Sequence, residues 1–358
     1  MRRENKMEEN KKLKSRLNYI DILNILACFC MVWLHCNGTA HTYANERYWT
    51  TALVVEVVAY WAVPVFLMIT GATLLNYRDK YDTKTFFKKR IKRTLIPFLI
   101  WSVIILVWKC STNRYMIKEI SLSNIISIFL NHSMEPIYYF FINIFAIYMS
   151  IPILSLFTKK EEYRKYLWYM VIVAFITKSV LPFICSITGI KWNNNLEIPL
   201  VGKYLIFVLL GYLLATEEIK KRNRYILYGL GIMSAIIRYV GTYYLSTRDG
   251  VINKSFWGYE YCISVLLAVA VFVFVKHIKW NKIVSETILN RYIPKIASCS
   301  LGIYLIHQIV MAYEIQIFEI DTRSIWWRTI GALSTYFIAL ILVLIMKKIP
   351  KINKIIVP

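Results

Sequence analysis

Two histidines and a few charged side chains stand in stretches of this sequence that are otherwise almost wholly apolar, and any chemistry the chain performs must run through them. His35 closes the segment YIDILNILACFCMVWLHC, in which Asp21, Asn24, Cys28 and His35 recur at helical spacing. Asn24 and His35 are three helical turns apart, so on a helix they share one face with a separation of about 16 Å. Ser300, Tyr304 and His307 repeat the pattern at i, i+4 and i+7, and Glu56, Lys178, Arg238, Glu260 and Glu314 are further ionisable groups within apolar blocks. A neutral imidazole can take the proton of a hydroxyl, and a neighbouring carboxylate can orient it and raise its basicity. Glu56 is the carboxylate whose depth should match that of His35. Each position also has a plain structural use. A buried histidine can simply be satisfied by hydrogen bonds, which leaves His307 open between packing and site; Lys178 and Arg238 can snorkel, pair with acids or bind substrate.

The elements that hold these residues are set by composition. Of 358 residues, 58% are hydrophobic, 15% aromatic and 18% charged, more apolar surface than a soluble core of this length requires. The net charge of +23 would suggest nucleic acid on a soluble protein, but the basic residues form short runs between apolar blocks, a membrane pattern, and no nucleic-acid partner is expected. A hydrocarbon core of about 30 Å needs about 20 apolar residues per helix. Ten blocks meet that need at roughly 19–37, 51–76, 94–109, 137–157, 167–189, 200–216, 225–246, 258–275, 297–317 and 329–346. The fold class expected is therefore all-α: a polytopic membrane protein of about ten transmembrane helices in a single bundle. Residues 1–18 form a basic N-terminal segment, 19–346 the transmembrane domain and 347–358 a basic tail. The first apolar block lacks a small-residue cleavage site and reads as an uncleaved span.

Orientation follows from charge. Alternate connections, together with both terminal segments, carry 32 Lys and Arg, against 8 in the remaining connections. By the positive-inside rule both termini and the connections after blocks 2, 4, 6 and 8 face the cytoplasm of a cell membrane. The connection 77–93 alone holds eight basic residues and ends in FFKKRIKR. Arg90 and Arg93 within it are spaced i, i+3, as a helix would present a phosphate-gripping pair, although topology by itself already calls for basic residues there. The seven cysteines show no paired spacing, so neither a disulfide framework nor a metal site is expected. P-loop, HExxH and GxSxG patterns are absent.

Several segments, in order, resemble the acyltransferase-3 family of bacterial integral membrane acyltransferases, which includes O-acetyltransferases of surface polysaccharides. They are YIDILNILACFCMVWLHC, VPVFLMITGATLL, FFKKRIKRTLIPFLIW, YYFFINIFAIYMSIPIL, YLIFVLLGYLLA and SCSLGIYLIHQIV. The resemblance implies acetyl-CoA or another acyl-CoA as donor substrate, supplied from the cytoplasm, and a carbohydrate or glycolipid hydroxyl as acceptor at the membrane lipid. It assigns His35 as the catalytic histidine and Arg90 and Arg93 to the anionic donor. The family usually has an arginine eleven residues before the histidine; Asn24 stands there instead, keeping hydrogen bonding but losing a permanent charge. Tyr139 stands where tryptophan is common, and Thr70 where serine is.

A transporter or flippase for a glycan or lipid also suits ten helices with intramembrane charges, though no inverted repeat is visible, and Asn24 motivates a third reading as a catalytically impaired homologue. The topology is open to a direct check. Reporter fusions after residues 80, 160, 220 and 282 should be active only as cytoplasmic reporters, and fusions near 45, 115, 195 and 250 only as exported ones; two neighbouring sites of the same sense would break the ten-span reading.

Overall fold

Few residues that end helices interrupt the apolar blocks, and helices are what a chain must form where no water satisfies its backbone. The structure, a computed structural model, describes residues 2–117, 121–193, 196, 201–202, 204–350 and 352–357, with side chains from residue 19 onward except Lys354. The basic side chains expected at the start of the chain, and Lys118, Lys203, Lys351 and Lys354, lie outside that description. Every regular element among the described residues is helical. Ten apolar segments follow in chain order: α1 (Arg2–Cys36, apolar from Tyr19), α2 (Arg47–Asp79), α3 (Thr83–Ser111), α4 (Pro136–Leu154), α5 (Glu161–Thr188), α6 (Leu205–Thr216), α7 (Lys221–Asp249), α8 (Cys262–His277), α9 (Ile288–Ala297 with Ser300–Ile317) and α10 (Trp327–Met346).

Seven of these are long and apolar enough to cross a membrane, and α9 makes an eighth if its halves, bent by 55°, count as one span. The other two, α6 with 12 residues and α8 with 16, fall short of a hydrocarbon core of about 30 Å at about 1.5 Å per residue. Protein takes the place of lipid around α6, where every residue from Ile206 to Ala215 is buried. By contrast α7 turns Ile226, Ile232, Ile236 and Val240 outward, an apolar face suited to acyl chains.

α6 and α2 meet backbone to backbone. A Cβ on Gly71 would lie 1.8 Å from the carbonyl oxygen of Val208, and one on Gly211 would lie 1.9 Å from that of Met68. The two glycines let one backbone rest on the other, the small-residue contact that drives helix association where lipid removes the hydrophobic drive. Widened π-turns occur in four helices among the described residues, at Ile91–Leu95, Phe175–Val180, Ile288–Tyr292 and Trp327–Gly331. In the first three, proline follows two residues later, at Pro97, Pro182 and Pro294. The proline ring clashes with the carbonyl four residues earlier, and the extra residue in the turn relieves it.

α1 has no glycine or proline and packs against α2, α8, α9 and α10, which makes it the axis of the bundle. Buried polar groups fasten its neighbours. Ser334 and Thr335 of α10 both donate to the Glu314 carboxylate of α9. Arg328 is 1% exposed at the start of α10 and reaches Thr51 of α2 at 3.0 Å, while its carbonyl accepts the Trp33 indole of α1.

Gly211→Ala or Gly71→Ala should force α2 and α6 apart and destabilise the chain by about 1–3 kcal/mol. Gly229→Ala, with no atom within 4 Å of the new Cβ, should be neutral or better. Thermal unfolding in detergent reads the difference, and equal midpoints for Gly211→Ala and Gly229→Ala would refute the packing argument.

Candidate active site

Because α1 runs unbroken, its polar residues keep their helical spacing and open onto one side. His35, one residue from its end, lines a cavity of about 260 Å³. Glu56 and Tyr60 of α2, Tyr139 of α4, Trp257 and Tyr259 before α8, and Tyr304 of α9 line the same space. Three turns below, Asn24 lines a second cavity of about 220 Å³ with Ser298 and Ser300, next to the bend in α9. Its side-chain amide donates to the Ala297 carbonyl at 3.1 Å. The shared face expected for Asn24 and His35 is therefore a face with two chambers along it.

The His35 ring makes no hydrogen bond among the described residues. Its neighbour is His307, with ring centroids 5.1 Å apart. His307 is fully buried, and its Nδ1 lies 2.8 Å from the Tyr304 carbonyl and 3.2 Å from that of Ile303. A carbonyl only accepts, so Nδ1 carries the proton and Nε2 is left as an acceptor, 3.3 Å from the Gln308 amide nitrogen. His307 thus packs the catalytic candidate from behind with a fixed tautomer.

Glu56 shares the cavity with His35 but forms no ion pair or hydrogen bond with it among the described residues, and its Oε2 is buried without a hydrogen-bond partner. Arg238 does not line the cavity. It is 1% exposed, its guanidinium lies 3.2 Å from the centroid of the Tyr60 ring, and Nη1 donates to Ser264 at 3.3 Å. Tyr60 in turn donates to the Trp257 carbonyl and stacks on Tyr259 at 4.3 Å. Arg238 therefore supports an aromatic wall of the cavity by a cation–π contact rather than meeting its contents.

The remaining expected site residues lie elsewhere. Lys178 sits half-buried on the π-turn of α5 and lines neither cavity. Arg90 is half-buried, its guanidinium 5.8 Å from the Phe86 ring and 5.6 Å from that of Tyr148, whereas Arg93 is exposed. The π-turn that begins at Ile91 explains the divergence, since extra residues per turn rotate an i, i+3 pair apart.

A family model described as an acyltransferase domain matches residues 17–344. The chain belongs to the acyltransferase-3 family. It is accordingly a membrane protein of an enzyme family that transfers acyl groups from a donor to an acceptor. No curated protein and no solved structure matches it.

Within this family member, the sequence patterns left several cavity residues unmarked. His41 lies on the 3-10 turn Gly38–His41, packs edge-on to Trp257 at 5.0 Å and lines the His35 cavity. Burial and the nearby Lys254 hold its imidazole below the ordinary histidine range. Trp257 and Tyr259 come from a connection rather than a helix. The one signal for them in the sequence was the aromatic cluster FWGYEY in an otherwise polar stretch.

Proposed function

We propose that this acyltransferase moves an acyl group, acetyl in the simplest case, from acyl-CoA to a hydroxyl of a cell-envelope carbohydrate or glycolipid at the bacterial cytoplasmic membrane. In this reading both termini are cytoplasmic, and the donor arrives from that side. The observation that carries it is the His35 ring on the wall of an aromatic-lined cavity, with the His307 ring packed beside it at 5.1 Å between centroids.

The chemistry is that of a general base. His35 takes the proton of the acceptor hydroxyl as the oxygen attacks the thioester carbon; the carbon–sulfur bond breaks, and the imidazolium returns its proton to the departing thiolate. His307 is a positioning residue, holding the plane of the His35 ring. Glu56 acts in the same cavity by accepting hydrogen bonds from the acceptor, for which its free Oε2 is suited. Tyr60, Trp257 and Tyr259 offer flat faces to the C–H side of a sugar ring, and a cavity with few fixed polar groups among aromatic walls suits a small neutral ligand. Asn24, on the lower cavity, is assigned to the donor's amide-bearing arm, which a neutral amide serves as well as a charged residue does. Arg90 and Arg93 are assigned to the donor's phosphates, gripping from two directions rather than as a parallel pair.

Purified chain given radiolabelled acetyl-CoA and a cell-wall extract should transfer label, and His35→Ala should cut the rate by about a hundredfold or more. Label that is equal in both, or absent from both, points to a transporter or a catalytically dead relative. Independently, Arg90→Ala combined with Arg93→Ala should weaken acyl-CoA binding by about tenfold with insertion intact; unchanged affinity in a filter or calorimetric assay removes these two residues from the donor site.

A further inference from the structure

The His35 cavity and the Asn24 cavity have three lining side chains in common, Phe66, Phe140 and Tyr304, one each from α2, α4 and α9. Their rings form a wall one side chain thick. Phe66 and Phe140 are 6.2 Å apart between centroids, and Phe140 and Tyr304 are 5.7 Å apart. Tyr304 is the fixed post of this wall, because its hydroxyl donates to the Ile137 carbonyl in the turn Pro136–Tyr138 that opens α4. That turn is itself pinned, since Glu135 before it pairs with Lys109 of α3 at 2.9 Å. The two phenylalanines carry no polar tether and are only partly buried, so a χ1 change in either opens the wall without breaking a hydrogen bond.

We propose that Phe66, Phe140 and Tyr304 form the constriction that the donor's thioester-bearing arm threads on its way from the Asn24 cavity to His35, and that the closed wall keeps water of the lower chamber away from His35 and the acceptor on the His35 side. This rests on the acyltransferase reading above. The chambers are stacked along α1, with Asn24 and His35 about 16 Å apart, so a donor entering at the lower chamber must cross the layer between them. The lower chamber lies toward the end of the bundle where α1 begins its apolar run and α10 finishes, with the Lys347 ammonium on the Ser298 carbonyl at 2.7 Å. A chain-like arm is thin enough to pass between parted rings, whereas a sugar ring is not. Closure matters chemically: with a base poised at a thioester, water that reaches His35 loses its proton to the imidazole, attacks the acyl carbon, and releases free acid and thiol in place of product.

The test uses the full chain in oriented proteoliposomes, with Val63→Cys as reporter, because Val63 lines the His35 cavity and not the lower one. Labelling of that position by a small, charged methanethiosulfonate is read by peptide mass spectrometry. In the otherwise unchanged chain it should label from one face only. Adding Phe140→Ala should open the other face, with at least about a tenfold rise in labelling rate, and should raise acyl-CoA hydrolysis without acceptor by a similar factor. Phe140→Trp should do the reverse, cutting transfer by about tenfold or more while acyl-CoA still binds. Phe140→Leu serves as the milder opening variant if the alanine chain does not fold. Labelling from both faces at the outset, or labelling that ignores residue 140, overturns the proposal. So does a labelling gain that leaves transfer and hydrolysis untouched, and that outcome leaves the acyltransferase reading standing. A chain that transfers no acyl group to begin with removes that reading, and the proposal falls with it.

Discussion

A polar side chain inside a lipid-embedded bundle must be partnered by protein or open onto a wet cavity, because hydrocarbon supplies neither hydrogen bonds nor dielectric screening; on insertion scales an unmet charge costs about 2.5–3.5 kcal/mol. The arrangement of this protein follows from how each such group meets that condition. Glu314 is met by two hydroxyls of α10, and Arg328 by Thr51 and a backbone carbonyl. His35 and Glu56 take the other course and line a cavity, and Asn24 does both, donating to the Ala297 carbonyl while lining a second one. The groups with protein partners bind helix to helix, and those that open onto space mark where a substrate can replace the missing partner.

Aromatic side chains divide that space. They are large and stiff, with few rotamers to lose, and their faces attract cations and C–H groups. Tyr60 stands between the Arg238 guanidinium and the His35 cavity, so a permanent charge buried in α7 is converted into support for an apolar wall. Trp257 and Tyr259 complete the wall from a connection between helices, and His41 leans on Trp257 from another. The catalytic candidate itself is carried by α1, an unbroken helix whose neighbours pack on several sides of it.

Much of the fold could be read along the chain, because lipid imposes a one-dimensional rule: a run of apolar residues of sufficient length becomes a helix. Ten apolar segments appear where ten blocks were expected, and the spacing from Asn24 to His35 survives because nothing in α1 interrupts it. The same rule misjudges α6 and α8. Their apolar character reflects burial in protein as much as exposure to lipid, and hydropathy does not tell the two apart. It also says nothing of π-turns, which rotate Arg90 away from Arg93 although both lie in a continuous basic run.

The sequence by itself determined that the chain is an all-helical membrane protein, which family it belongs to, and that His35 and Asn24 share a helical face. Those properties depend on local composition and on spacing within one helix, which no distant contact alters. Only the tertiary structure decided what that face looks upon. The His307 ring beside His35 comes from α9, the tyrosines and tryptophan around the cavity come from four parts of the chain, and the glycine contact that seats α6 on α2 joins residues far apart in sequence. Such neighbours are fixed by which helices pack together and at what depth, a matter of side-chain volumes meeting across the bundle, and no single segment contains that information.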